Sequence, residues 1–297
     1  MRAASGGAVH ELPLCGPLAV WTSGGFPHII GRNAFEPPGE VPVSGDPCAR
    51  AVRFYDLDEG RFTEDLGLYV GLAERWGGPI LELGCGTGRV LAALAAAGYH
   101  VVGLDRSEAM LAAARERLAR RGLLAQARLV PGDMRHFALE ERFAWAFCAM
   151  NSLMHLTSLE DQLATLEAAH RHLRPGGYLV LDLTNPDPGW LLEPGEKIVR
   201  VGVLEDPETG TVVVRQVLQR ADPLRQVLDL VYIYDEVDPE GRVRRVLLPL
   251  RLRYLFPAEA RLLLERAGFA VEAVYGSYEM EPFDATGDRM IFVCRSR

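Results

Sequence analysis

The run Ile80-Leu81-Glu82-Leu83-Gly84-Cys85-Gly86-Thr87-Gly88-Arg89 constrains this chain more than any other stretch. An apolar segment leads into glycines at alternate positions, and Val90, Leu91 and Leu94 then recur at helical spacing. Pro79 and the Gly77-Gly78 pair punctuate its start. The pattern predicts a strand, a tight turn and a helix. Glycines at such a turn let the backbone take φ > 0 and approach a ligand closely, and a helix N-terminus offers unpaired N–H groups. A small polar molecule suits a site of this kind.

The spacing argues against a dinucleotide. That fingerprint needs G-x-G-x-x-G, whereas Gly88 comes one place early and Arg89 stands where the pattern has glycine. A carboxylate at Glu82 is an awkward neighbour for a pyrophosphate and a suitable one for a cation. Gly98 stops the first helix, and Tyr99 to Asp105 reads as a second parallel strand. Its terminal acid falls where an α/β nucleotide site places the carboxylate that binds ribose hydroxyls. Ser107 caps a helix that carries Met110, Leu111, Ala114 and Leu118 inward and ends at Gly122. Arg128 to Val130 forms a third strand and Phe143 to Met150 a fourth. Beyond the fourth strand's carboxyl end lies Asn151 to Leu156, where ligands of open α/β sheets bind. Ser158 opens a further helix with Leu159, Leu163, Leu166 and Leu173 as its buried stripe. His170 and His172, in its last turn, read as structural, favoured as imidazolium by the helix dipole.

The glycine run resembles motif I of class I S-adenosylmethionine-dependent methyltransferases, and Leu173-Arg174-Pro175-Gly176-Gly177 is similar to the L-x-P-G-G segment of the same superfamily. This resemblance covers residues 51–297. It implies a seven-stranded Rossmann-like α/β sheet with the last strand antiparallel, helices on both faces, and S-adenosylmethionine as cofactor. The cofactor contacts it implies are Glu82, Gly84, Cys85, Gly86, Asp105, Arg106, Asp133, Met134 and Met150. Among these, Asp105 would meet the ribose, Asp133 the exocyclic amine of adenine, and Met134 the ring. Ser152-Leu153-Met154-His155-Leu156 is similar to the stretch after the fourth strand in amino-sugar N-methyltransferases, which place a histidine near the acceptor nitrogen with an N-terminal tyrosine opposite. His155 and Tyr55 are therefore the candidate catalytic residues. Each also has a structural reading, as a satisfied histidine and a helix-packing aromatic.

From Lys197 to Tyr254 the pattern changes to long alternating runs with Pro207-Glu208-Thr209-Gly210 and Pro239-Glu240-Gly241 as hairpin turns. Period two with glycine turns predicts an inserted antiparallel β-sheet, one face covered and one wet. It would wall the acceptor pocket or form a homodimer surface, and Arg251 and Arg253 on it read as solvated. The expected organisation is thus a Gly/Pro-rich extension over 1–49, a methyltransferase domain over 50–195 and 255–297, and the insert over 196–254. The extension is read as packing through Trp21 and Phe26, staying mobile, or arising from an over-extended start. Asn185-Pro186-Asp187-Pro188 reads as a turn.

The formal charge of −8 opposes an electrostatic grip on nucleic acid or an anionic membrane. Five scattered cysteines, none in C-x-x-C spacing, indicate neither a disulfide framework nor a zinc site. A cytoplasmic methyltransferase acting on a small-molecule acceptor, by N-methylation, is the leading expectation. The alternatives are O- or C-methylation, a non-catalytic cofactor-binding subunit, and a nicotinamide oxidoreductase, the last opposed by the glycine spacing.

Overall fold

The computed structural model describes residues 47–186, 196–207, 209–284 and 286–297. The expectations for the 1–46 extension, for the Asp187-Pro188 half of the turn and for Glu208 lie outside the described residues. Two helices, α1 (Pro47–Asp58) and α2 (Leu66–Trp76), precede the first strand. Phe62 lies in the connection between them.

The alternation then runs β1 (Ile80–Leu83), α3 (Arg89–Ala96), β2 (Val101–Asp105), α4 (Glu108–Arg120), β3 (Ala127–Pro131), β4 (Phe143–Cys148), a 3-10 turn at Ser152–His155, α5 (Leu159–His172) and β5 (Leu173–Thr184). After four further strands come α6 (Pro257–Arg266), β10 (Phe269–Tyr275) and β11 (Arg289–Ser296). These build a seven-stranded sheet in the order β10-β11-β5-β4-β1-β2-β3. Only β11 is antiparallel to its neighbours, pairing Phe292 with Leu181 on one side and Val274 on the other.

Side chains alternate faces along each strand, so the sheet separates two cores. Ile80, Val101, Trp145, Phe147 and Ile291 share one core with α2, α3 and α4. Leu81, Val102, Ala146, Leu181 and Phe292 share the other with α5 and α6. Helix starts follow from their caps: Ser107 Oγ accepts from Met110 N at 3.3 Å, and Ser158 Oγ from Asp161 N at 3.1 Å.

Residues 196–253 form a second, four-stranded antiparallel sheet, β6 (Glu196–Glu205), β7 (Val212–Asp222), β8 (Val227–Val237) and β9 (Val243–Arg253), in that order. Its inner face contributes Val217, Leu228, Leu230 and Leu252 to the core shared with α5 and α6. It also packs on α1, where Phe54 stacks on Tyr234 at 4.5 Å between ring centroids.

Three local readings change. Leu159 is exposed, and the buried stripe of α5 runs instead through Gln162, Thr165, Leu166 and Ala169. His172 is structural, but it is held neutral: its Nδ1 faces Ala168 O at 2.7 Å, its Nε2 accepts from Leu139 N at 3.0 Å, and burial lowers its pKa. Arg253 is buried, donating to Gln162 Oε1 at 2.9 Å and Glu259 Oε1 at 2.7 Å, whereas Arg251 on the opposite face is exposed as expected.

Candidate active site

The site is built around the turn between β1 and α3. Gly84 and Gly86 have φ of 71° and 52°, so side chains there would be strained. A Cβ on Gly84 would also come within 2.9 Å of Ser152 Cβ. Asp105, at the end of β2, organises the turn: its carboxylate accepts from Gly86 N at 2.8 Å and Ser107 N at 2.9 Å. The turn opens on a small cavity whose lining includes Tyr55, Glu82, Gly84, Cys85, Arg89 and Met150.

A buried carboxyl group and a guanidinium face this cavity. Glu82 is buried, and its Oε2 has no hydrogen-bond partner. Burial pushes its pKa well above the carboxylate range, an effect that Arg89 opposes and that Asp65 and Asp105 reinforce. Arg89, at 8% exposure, is gripped by Asp65 through a two-pronged ion pair of 2.5 and 2.6 Å, and its Nη2 reaches Met150 Sδ at 2.8 Å. Cys85 is a buried thiol whose pKa burial raises, which makes it a space-filling group.

Helix α1 covers the turn. A Cβ on Gly86 would lie 3.8 Å from the Tyr55 hydroxyl, so this phenol stands directly over the glycine backbone. Burial raises its pKa above the ordinary tyrosine value and keeps it protonated. The neighbouring Asp56 latches the helix down, accepting from Thr87 Oγ1 at 2.5 Å and Arg117 Nη2 at 2.8 Å.

His155 ends the 3-10 turn beyond β4. Its side chain is exposed to solvent, with protein atoms close around it. That surrounding protein, with a smaller effect from Arg106, lowers its pKa to about 4. The imidazole is therefore neutral near pH 7 and able to accept a hydrogen bond. Arg106 is exposed beside β2. Asp133 follows β3, and Arg135 occupies its carboxylate with three contacts of 2.6–3.0 Å that hold the pKa at about 2. Met134 is half-buried and packs on the core. Tyr55, Glu82, Gly84, Cys85 and Met150 thus meet at one cavity, while Gly86, Asp105, His155, Arg106, Asp133 and Met134 lie outside its lining, Gly86 and Asp105 being joined to each other in the turn beside it.

Sequence reasoning missed Asp65 as the partner of Arg89, and it missed the Asp182–Arg289 pair behind Met150. Acids and arginines so far apart in the chain carry no local signal.

Known proteins were compared with this arrangement. A methyltransferase domain family matches residues 80–177. The chain is similar to the cypemycin N-terminal methyltransferase of a Streptomyces species, 29% identical over 82% of this chain and 94% of that protein. It is also similar to the dTDP-3-amino-3,6-dideoxy-alpha-D-glucopyranose N,N-dimethyltransferase of Streptomyces fradiae, 35% identical over 57% of this chain and 65% of the relative. Among solved structures, the CcbJ methyltransferase of Streptomyces caelestis superposes with a TM-score of 0.68 at 30% identity, over 85% of this chain and 97% of that one. The chain belongs to the class I S-adenosylmethionine-dependent methyltransferases.

S-adenosylmethionine is accordingly the cofactor of this methyltransferase, and the residues fit it. Its amino-acid end carries an ammonium and a carboxylate, and the cavity presents the unpartnered Glu82 oxygen and the Arg89 guanidinium. Among the described residues no helix is long and apolar enough to cross a membrane.

Proposed function

We propose that this methyltransferase N-methylates a small amine. When bound, the cofactor supplies a methyl group already activated on a sulfonium sulfur. The protein's work is then placement, exclusion of water and management of the acceptor's proton. In this reading Glu82, Gly84, Cys85, Gly86 and Met150 surround the amino-acid end. Asp105 and Arg106 flank the ribose, and Asp133 and Met134 the adenine. Tyr55 closes the cavity from above.

The observation that carries N-methylation is the neutral, solvent-exposed imidazole of His155 just beyond the carboxyl end of β4. An amine with a pKa of about 9–10 is roughly 1% or less in its free-base form at pH 7, and a neutral imidazole that accepts a hydrogen bond from that free base orients its lone pair toward the methyl group. The names of the two amine-modifying relatives point the same way. The four-stranded sheet is read as the support of the acceptor wall, because it holds α1, and with it Tyr55, in place. Its outer face carries Val201 and Val203, 67% and 69% exposed, and we read that face as a surface for a second copy of the chain, which sedimentation will report as a dimer. The net charge of −8 weighs against nucleic acid as acceptor.

The test is methyl transfer from labelled S-adenosylmethionine to a panel holding a dTDP-3-amino sugar, a peptide with a free N-terminus and a catechol. Transfer to an amine with the catechol untouched is the expected result; transfer to the catechol alone contradicts it. With the responding amine, His155→Ala lowers turnover while cofactor affinity stays near wild type. A fully active variant would return His155 to a packing role.

A further inference from the structure

Asp182 lies in β5 and is fully buried, yet its carboxylate collects donors from four places. Oδ1 accepts from Arg289 Nε at 2.9 Å and also from its Nη2. Oδ2 accepts from Met150 N at 3.0 Å, Tyr278 Oη at 3.3 Å and Tyr69 Oη at 3.5 Å. Arg289, at the start of β11, also packs over the Tyr278 ring. Buried carboxylates are rare unless paired, so a position of this kind calls for a reason.

The reason lies in the backbone that Asp182 touches. Met150 and Asn151 have φ of 44° and 66°, in the left-handed region that methionine seldom adopts. Ser152 N closes this bend from within by donating to Ala149 O at 3.0 Å, and the contacts that tie it to the sheet come from the ends of β5 and β11. Asn151 N donates to Asp182 O at 3.1 Å, and Asn151 Oδ1 accepts from Thr184 N at 2.7 Å. Asn151 Nδ2 donates to Thr184 Oγ1 at 2.9 Å, an atom that Arg289 Nη1 also reaches at 3.3 Å. On its other side Met150 lines the cavity and meets Arg89. The bend is therefore the link between a buried ion pair and the cavity wall.

We propose that Asp182, oriented by Arg289, is a positioning residue for methyl transfer: it fixes the left-handed Met150–Asn151 backbone and thereby the wall of the cofactor cavity. Asp182 touches neither cofactor nor acceptor in this account and acts through Met150. The inference rests on the cavity being the cofactor site.

The experiment uses the full chain labelled with 13C at the methionine methyls, together with calorimetric titration of S-adenosylmethionine. In Asp182→Asn the Met150 resonance shifts or broadens while that of Met110, on α4, stays in place. Cofactor affinity falls about tenfold, the order expected for one charge-assisted hydrogen bond. Arg289→Lys, which keeps the charge, loses less than Arg289→Met. An unmoved Met150 resonance in folded Asp182→Asn overturns the proposal, and so does a joint movement of Met110 and Met150, which would signal general loosening. Should Asp182→Asn fail to fold, Tyr278→Phe and Arg289→Lys decide: both must move the Met150 resonance, and silence in both overturns the proposal. If the wild-type chain shows no heat with S-adenosylmethionine, the reading of the cavity fails, while the Met150 resonance still judges the role of Asp182.

Discussion

The seven-stranded sheet reaches the cavity through its own residues, Glu82 from β1 and Met150 and Ser152 just beyond β4, while Asp105 at the end of β2 holds the turn beside it. The four-stranded sheet contributes none of the described lining residues. Its influence arrives through α1, by the Phe54–Tyr234 stack and by ion pairs from Arg53 to Asp206 and Glu236 and from Arg215 to Asp58. One sheet presents chemistry directly, and the other sets the position of the helix that covers it. The ion pairs on the outward side of the insert differ from those behind the cavity. The pairs behind the cavity, Arg89–Asp65 and Asp182–Arg289, are largely enclosed, whereas Arg251–Asp229 and Arg245–Asp235 on the insert are open to water on their arginine side.

The largest effect should come from the enclosed pairs. Arg89→Met strands the carboxylate of fully buried Asp65, and a loss of about 3–5 kcal/mol in urea unfolding is expected. A loss below 1 kcal/mol, on the order of a surface pair, would erase the contrast between the two regions. Next is Phe54→Ala, which empties the contact between α1 and the insert at a cost of about 3 kcal/mol. Hydrogen exchange should then show faster exchange over α1 with β7 and β8 still protected; equal loss in both would make helix and sheet one unit.

Asp105→Ala removes the acceptor shared by Gly86 N and Ser107 N together with the proposed ribose contact. Cofactor affinity should fall about 10- to 100-fold, or roughly 1.4–2.7 kcal/mol, by calorimetry. Affinity within twofold of wild type would detach β2 from the site.

A smaller effect concerns pH. The folded His155 pKa of about 4 lies below the unfolded value of about 6.5, so between these limits the unfolded chain binds more protons. His155 therefore favours unfolding as pH falls from 6.5 toward 4 and contributes no pH dependence above 7. Its imidazole resonances should titrate near 4, and a midpoint near 6.5 would place the ring in bulk-like water. Smallest of all, Arg251→Ala should change stability by no more than about 0.5 kcal/mol.

These contrasts explain what the sequence disclosed. The β1 turn, the Ser107 and Ser158 caps and the hairpin periodicity of the insert are local patterns, and each appears where its residues predict. The sheet order follows from a family-wide chain topology that the glycine run and the L-x-P-G-G segment announced. Partnerships across long separations carry no such pattern. Arg253 looked like any alternating surface arginine until Gln162 and Glu259 enclosed it. His172 seemed suited to a positive charge until Leu139 N claimed its Nε2. Asp133 reads as a free acid in sequence, although Arg135, two residues on, already occupies it. Periodicity assigns a residue to a face, but only the packed chain assigns it a partner.

The central claim is that the cavity at the glycine turn holds the charged amino-acid end of S-adenosylmethionine between Glu82 and Arg89. Calorimetric titration of that cofactor into folded wild-type protein and Glu82→Gln tests it most directly. The account predicts one site per chain in the wild type and binding about tenfold weaker in the variant, which keeps the side chain's shape and removes its ability to ionise beside the ammonium. No heat from the wild type, or equal affinity in both, would contradict it.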